Sequence, residues 1–270
     1  MSKIVLITGA SSGIGKSMAS YLQQQGLNVY GTSRNSEHGQ VIDGITFLKL
    51  DVTNDQSVHD AVSYLLEKEG KIDVLINNAG IGMVGSGEDS TPIEMKVQFE
   101  TNFYGTVRLM QAVLPSMRNR KEGLIINISS LAGLFGLPYR GVYSAAKFAI
   151  NGLSESMRME LISYGVHLSV ICPGDFKTPI KTSRIRAKKS ESSVYKEEFD
   201  KVYTLMNEEL DNSGDPVQVA KMAFKIIGTK EPRPFYLVAS AFQKCVVMLR
   251  YWIPTKAFQW LMMRNYKMLK

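Results

Sequence analysis

The stretch Ile4-Val-Leu-Ile-Thr-Gly-Ala-Ser-Ser-Gly-Ile-Gly15 decides how the rest of the chain is read. A short apolar, mostly β-branched run passes straight into a glycine-rich turn, and residues 13–25 continue with helical amphipathicity. Strand, tight turn and helix in that order form the setting in which such a turn binds a dinucleotide. Gly9 permits the turn, Gly13 lets backbone approach a pyrophosphate, and Gly15 allows the helix to lie close to the sheet. The helix N-terminus, with Ser11, Ser12 and Ile14 around it, offers amides and a positive dipole end to phosphates. The spacing is GxxxGxG rather than GxGxxG, so taken alone the motif also reads as a plain glycine-rich turn.

Outward from this stretch, apolar segments of strand length recur at residues 28–32, 45–50, 73–77, 124–130, 166–172 and 235–238. Most are continuous runs bounded by Gly, Asp or Asn, which suits strands buried on both faces. Between them lie amphipathic stretches at residues 55–69, 92–117, 143–164 and 216–227; in the second, Phe99, Phe103, Val107, Met110 and Leu114 recur at helical spacing. Alternation of strand and helix means βαβ units and a parallel sheet covered on both sides: one doubly wound three-layer α/β domain over residues 1–270. Residues 181–215 break the rhythm with a polar, charged excursion containing a helix-like part at 194–210. It reads as a substrate lid or binding loop, or as a solvated surface insertion.

The ends of the strands carry the next signals, because an open α/β sheet binds ligand at its carboxyl edge. The second strand ends Tyr30-Gly-Thr-Ser33-Arg34-Asn35, with no acidic residue to bond ribose hydroxyls. Arg34 can fork onto a 2′-phosphate and Ser33 does not repel it, which favours NADP(H) over NAD(H); an Arg34 that only faces solvent is the alternative. Asp51-Val52 follows the third strand and can hold an adenine amino group. Asn77-Asn78-Ala79-Gly80 follows the fourth and brings small residues and backbone beside a cofactor. Each alone is also an ordinary strand-ending turn.

Tyr143-Ser-Ala-Ala-Lys147 places a phenol and an ammonium four residues apart on one helix face, with Ser130 thirteen residues upstream. A nearby cation favours the ionised phenol, and a serine hydroxyl can hold the same substrate oxygen, so the group reads as a proton-transfer device. The same spacing also arises by chance on solvated helices.

Together, residues 8–15, Asp51, residues 77–80, Asn102, Ser130, Tyr143, Lys147 and Pro173-Gly174 through Thr178 resemble the short-chain dehydrogenase/reductase family, over roughly residues 1–180. The resemblance implies a Rossmann domain with a seven-stranded parallel sheet, a nicotinamide cofactor, and hydride transfer to or from a carbonyl carbon. It makes Tyr143 the general acid/base, Ser130 the holder of the substrate oxygen, and Lys147 the group that binds the nicotinamide ribose and lowers the phenol pKa. Asn102 resembles the residue that orders a proton-relaying water, and Thr178 the one that bonds the carboxamide. Phe176 stands where relatives more often have an aliphatic side chain. A homodimer or homotetramer, paired through residues 92–117 and 143–164, is also implied.

The net charge is +7, but six basic and no acidic residues fall in 240–270, leaving +1 for the remainder. The basic balance therefore describes a tail and argues against general nucleic-acid binding. Two cysteines and three scattered histidines form no disulfide framework or metal-ligand spacing. With no signal-peptide pattern and no apolar run long enough to span a bilayer, a cytoplasmic protein is expected. The tail adds Trp252, Trp260, Met248, Met262, Met263 and Met268, with Ile253-Pro254 separating two helices. It reads either as packing over the substrate pocket or a subunit contact, or as a peripheral contact with an anionic membrane. Both point to a hydrophobic substrate; relatives with extended C-termini act on steroids, retinoids or long-chain ketones. The leading expectation is an NADP(H)-dependent oxidoreductase, against a silent NADP(H)-binding sensor or scaffold and a membrane protein whose tail is its main function.

Overall fold

The computed structural model describes residues 2–269. Strands β1 (Ile4–Ile7), β2 (Asn28–Ser33), β3 (Gln40–Ile42), β4 (Ile45–Lys49), β5 (Val74–Asn77), β7 (Gly123–Ile128), β8 (Val166–Pro173) and β10 (Phe235–Val238) form one sheet in the order β10-β8-β7-β5-β1-β2-β4-β3. Every neighbouring pair is parallel except β3 with β4. The reversal of strand order between β1 and β5 opens the crevice in which doubly wound sheets bind ligand.

Side-chain alternation along β1 divides the core. Val5 and Ile7 join α1 (Gly13–Gln24) and α8 (Val217–Ile227) on one face, through Met18, Leu22, Val219 and Ala223. Ile4 and Leu6 face the opposite layer, where Val58 and Leu65 of α2 (Asp55–Glu69) meet Leu109 and Val113 of α4 (Gly105–Arg120) and Leu161 of α5 (Gly141–Leu161). With both faces covered, the central strands are buried end to end, which explains their unbroken apolar sequence.

The sheet has eight strands rather than the expected seven. The addition, β3, is Gln-Val-Ile, only three residues long and exposed at each, too short to stand out as a buried run. It is created by a two-residue hairpin at Asp43-Gly44, whose φ values of 52° and 78° fit the Asp-Gly turn that matches strand twist. The helix expected over 92–117 is also interrupted. A Thr91–Glu94 capping box starts α3 (Pro92–Phe99), a π-helical turn spans Glu100–Tyr104, and α4 follows.

The excursion at 181–215 is ordered: α6 (Ile180–Ser183), then β9 (Ile185–Arg186) paired with β6 (Met83–Val84), then α7 (Lys196–Asp211). In the tail, α9 (Ala241–Trp252) and α10 (Thr255–Asn265) meet at Ile253–Pro254; Lys270 lies outside the described residues. Packing accounts for one side of the tail, since Val247 and Phe258 are buried against Leu131 and Phe135, and Tyr266 against Val84 and Phe199. Among the described residues no helix is long and apolar enough to cross a membrane.

Beneath the carboxyl edge, Asn127 Nδ2 donates to Ser154 Oγ at 2.9 Å, and its Oδ1 accepts from Asn77 Nδ2 at 2.9 Å, linking β5, β7 and α5 in the interior. Removing the amide orphans both partners, each at about 1–3 kcal/mol. Asn127→Ala should therefore lower unfolding stability by about 2–4 kcal/mol in urea titration; a change below about 0.5 kcal/mol would show that the link is dispensable.

Candidate active site

The carboxyl ends of β1 and β5 are fastened by one threonine and one asparagine. Thr8 Oγ1 accepts from the amides of Asn78 and Ala79, both at 2.9 Å, and Asn78 Nδ2 donates to the carbonyls of Thr8 at 2.9 Å and Gly9 at 3.2 Å. Gly9 takes φ +65°, and a Cβ on Gly15 would stand 2.2 Å from the Gly9 carbonyl oxygen, so the turn closes tightly enough to require glycine there. Ser12 occupies the N-cap of α1 without a side-chain capping bond, and no acidic residue stands in the first turn. Its hydroxyl and the free amides are therefore available to a phosphate.

The remaining cofactor candidates converge here. Thr178 lies beside Gly13, whose Cβ would meet its side chain at 3.4 Å. Ser33 ends β2 and Arg34 follows it as an exposed side chain. Asp51 Oδ1 accepts from Thr53 N and Oγ1 at 2.9 and 2.8 Å, while Val52 is buried against Gly105. Gly80 packs on Asn102, and Pro173-Gly174 ends β8 beside Gln243 of the tail. These residues form a glycine-lined crevice whose carboxylate, Asp51, is turned onto Thr53 and whose rim carries the exposed Arg34, a set that fits a phosphorylated dinucleotide.

The proton-transfer group assembles from three elements. Ser130 follows β7 and caps a short 3-10 turn, its Oγ accepting from Ala132 N at 3.1 Å, which leaves its own proton free to donate. Tyr143 lies in the first turn of α5, near the positive end of that helix dipole. Lys147, one turn on, is buried and donates to the Ile128 carbonyl at 2.8 Å, with its ammonium 5.8 Å from the Tyr143 ring centroid. Burial brings the Lys147 ammonium down to about 8. Tyr143 departs from the expectation of a lowered phenol: burial holds it above its ordinary value, while the Ser130 hydrogen bond and the charges of Arg140 and Arg184 pull it down and Asp175 pushes it up. Asn102 sits within the π-helical turn, with Oδ1 accepting from Ile81 N at 2.8 Å and Nδ2 donating to Ile81 O at 2.9 Å. One N–H and one lone pair of its amide thus tie the turn to Ile81, leaving the others free, and such turns inside helices are frequent at functional sites.

A cavity of about 820 Å³ leads away from Ser130. Arg140, Asp175 and Glu209 line it with polar groups, and Phe135, Val246, Leu249, Phe258 and Leu261 line it with apolar ones. Neither Arg140 nor Glu209 emerged from the sequence. Arg140 had a usable signal, since it stands immediately before the helix that carries Tyr143; Glu209 arrives from α7, inside the 181–215 stretch read as a lid or binding loop, although nothing singles out that residue within it.

This arrangement has known counterparts. The short chain dehydrogenase family model matches residues 3–189, and the chain belongs to that family of oxidoreductases acting on alcohol and carbonyl groups. It is 39% identical to a 3-ketodihydrosphingosine reductase of Bacteroides thetaiotaomicron over 96% of both chains. It is 35% identical to retinol dehydrogenase 8 of Bos taurus, over 85% of this chain and 79% of that one. The solved structure of ElxO with NADP bound superposes with a TM-score of 0.72 at 27% identity, covering 88% of this chain and 97% of that one.

Two outcomes follow from the geometry. Gly15→Ala should reduce dinucleotide affinity at least tenfold in a fluorescence titration while the protein remains folded; unchanged affinity would show that the close approach is unimportant. For Lys147, the folded pKa of about 8 lies below the ordinary lysine value of 10.5, so between these limits the unfolded chain binds more protons and stability rises with pH. Lys147→Met removes that dependence. Its stability advantage over the parent should shrink by ~3 kcal/mol as pH rises from about 8 to about 10.5. A difference independent of pH would contradict the buried ammonium.

Proposed function

We propose that the chain is an NADP(H)-dependent carbonyl reductase, reversible as an alcohol dehydrogenase, acting on a ketone or secondary alcohol near the polar end of a long-chain, lipid-like substrate. The observation that carries this reading is the amphipathic cavity beside Ser130: Arg140, Asp175, Glu209 and Arg264 give it charged groups, while Phe135, Val246, Leu249, Phe258 and Leu261 give it an apolar wall drawn largely from α9 and α10. A polar head would lie beside Tyr143 with an alkyl chain along Phe135, Phe258 and Leu261. The reductase and retinol dehydrogenase relatives, both named for lipid substrates, support that class. The long-chain ketone named for the bacterial relative is the first candidate.

NADP(H) would be held by the glycine turn, Ser12, Asn78 to Gly80 and Thr178, with Asp51 toward the adenine, Lys147 toward the nicotinamide ribose and Arg34 on the 2′-phosphate. The NADP in the ElxO structure supports this choice. When bound, the cofactor supplies the hydride. The side chains manage the oxygen: Ser130 donates a hydrogen bond to it, and Tyr143 gives up its proton as negative charge develops there. A phenol held above its ordinary value keeps that proton until the charge appears. The positive end of α5 and Lys147 then stabilise the phenolate, and an ammonium near 8 can replace the proton from solvent. The face carrying exposed Tyr104, Phe148, Met159 and Ile162 on the π turn, α5 and its end is the proposed pairing surface between copies.

Tyr143→Phe should lower kcat for ketone reduction by about 10²–10⁴ with NADPH affinity nearly unchanged; full activity would remove Tyr143 from the chemistry. Arg34→Glu should lower kcat/KM with NADPH by about 10–100-fold and leave NADH turnover equal or improved. Tight NADPH binding with no turnover on any carbonyl would favour a silent sensor instead.

A further inference from the structure

The tail turns one side inward, and the other side is unusual for a surface in water. Along α9, Phe242, Met248, Leu249 and Trp252 recur on one exposed face, with Trp252 83% exposed and Phe242 66% exposed. On α10, Lys256, Trp260 and Arg264 follow one another at intervals of four, with Trp260 46% exposed and the Arg264 guanidinium 5.5 Å from its ring centroid. Residues 240–269 hold five basic and no acidic side chains, and Lys244, Lys256, Arg264 and Lys267 are exposed. Phe242, Leu249 and Leu261 line the cavity and are also exposed to the outside, so the wall of the cavity and the apolar outer face share residues.

The geometry points to α9 and α10 as a docking surface for an anionic lipid bilayer, against which the cavity mouth opens so that a lipid substrate enters from the membrane without crossing water. Charge complementarity selects the occupant. A uniformly basic, tryptophan-bearing face matches anionic headgroups above an apolar layer, the combination by which interfacial helices bind. A second copy would bring the same cations face to face and pay for their repulsion. Seated on a bilayer, the exposed Phe242, Leu249 and Leu261 exchange water for acyl chains, and a long-chain substrate slides past them toward Ser130. The entrance rests on the proposed lipid substrate; the docking itself does not.

The test uses the full chain and its own fluorophores, because both tryptophans of the protein, Trp252 and Trp260, lie on this face. Tryptophan emission is followed while vesicles of phosphatidylcholine alone, or of phosphatidylcholine with phosphatidylglycerol, are titrated, with and without brominated acyl chains. A blue shift with anionic vesicles, quenching by bromine and reversal by salt are expected. Lys256→Glu combined with Lys267→Glu, neither of which lines the cavity, should weaken vesicle binding about tenfold or more. That variant should keep parental turnover on a water-soluble short-chain ketone. Trp252→Ser should likewise reduce binding, read from Trp260. No shift and no quenching with anionic vesicles would overturn the proposal. So would a blue shift that appears on concentrating the protein alone, tracks dimer formation in sedimentation and is unchanged by vesicles. Absence of turnover on every carbonyl, with the fluorescence response intact, would refute the proposed activity and leave the docking surface standing.

Discussion

Everything at the carboxyl edge depends on how the ends of β1 and β5 are held together. The Thr8 hydroxyl satisfies the amides of Asn78 and Ala79, and the Asn78 side chain returns to the carbonyls of Thr8 and Gly9. These bonds satisfy partly buried backbone groups that a simple strand ending would leave unpaired. They also hold the glycine turn at the crevice, where α1 can begin within contact of the Gly9 carbonyl and point its free amides outward. The segment from Asn78 to Gly80 is fixed by the same bonds, and Gly80 in turn receives Asn102 from the π-helical turn.

Around that edge the chemistry is built from burial and dipoles more than from paired charges. Lys147 is buried with a backbone carbonyl as its partner, so its ammonium is destabilised and responsive near neutral pH. Tyr143 is held above its ordinary value by the same dry surroundings, partly offset by Ser130 and two arginines. A phenol that retains its proton and a lysine that exchanges one suit donation to a carbonyl oxygen. The opposite direction needs the phenolate, which the α5 N-terminus and Lys147 must then stabilise.

Much of the fold was legible because its determinants are local. Continuous apolar runs marked seven buried strands, and the glycine turn marked the crevice between them. The eighth strand has a physical reason to escape a reading by pattern: β3 offers only Val41 and Ile42, both exposed, which is too short a run to mark a strand, although the Asp43-Gly44 turn announces it. The π-helical turn at Asn102 was hidden because its residues keep helical spacing on either side. Tyr143, Lys147 and Ser130 could be read as a group from spacing and strand ends. The polar cavity wall could not, since Glu209 is brought in by α7 and Asp175 is tied to Gln243 of α9 at 2.6 Å, contacts that only tertiary packing creates. The elevated phenol was likewise invisible, because burial is a property of the assembled core.

The tail unites these parts, with Val246 and Phe258 closing one side of the cavity and the aromatic, basic outer face turned away. On the proposed function, this cavity presents the carbonyl of a long-chain substrate to Tyr143 beside NADPH. The most direct measurement is NADPH oxidation by the purified protein against ketones that differ only in alkyl-chain length. With such a cavity kcat/KM rises steadily with chain length, and NADPH is preferred over NADH at every length. Turnover independent of chain length, or fastest with the shortest ketone, would contradict it.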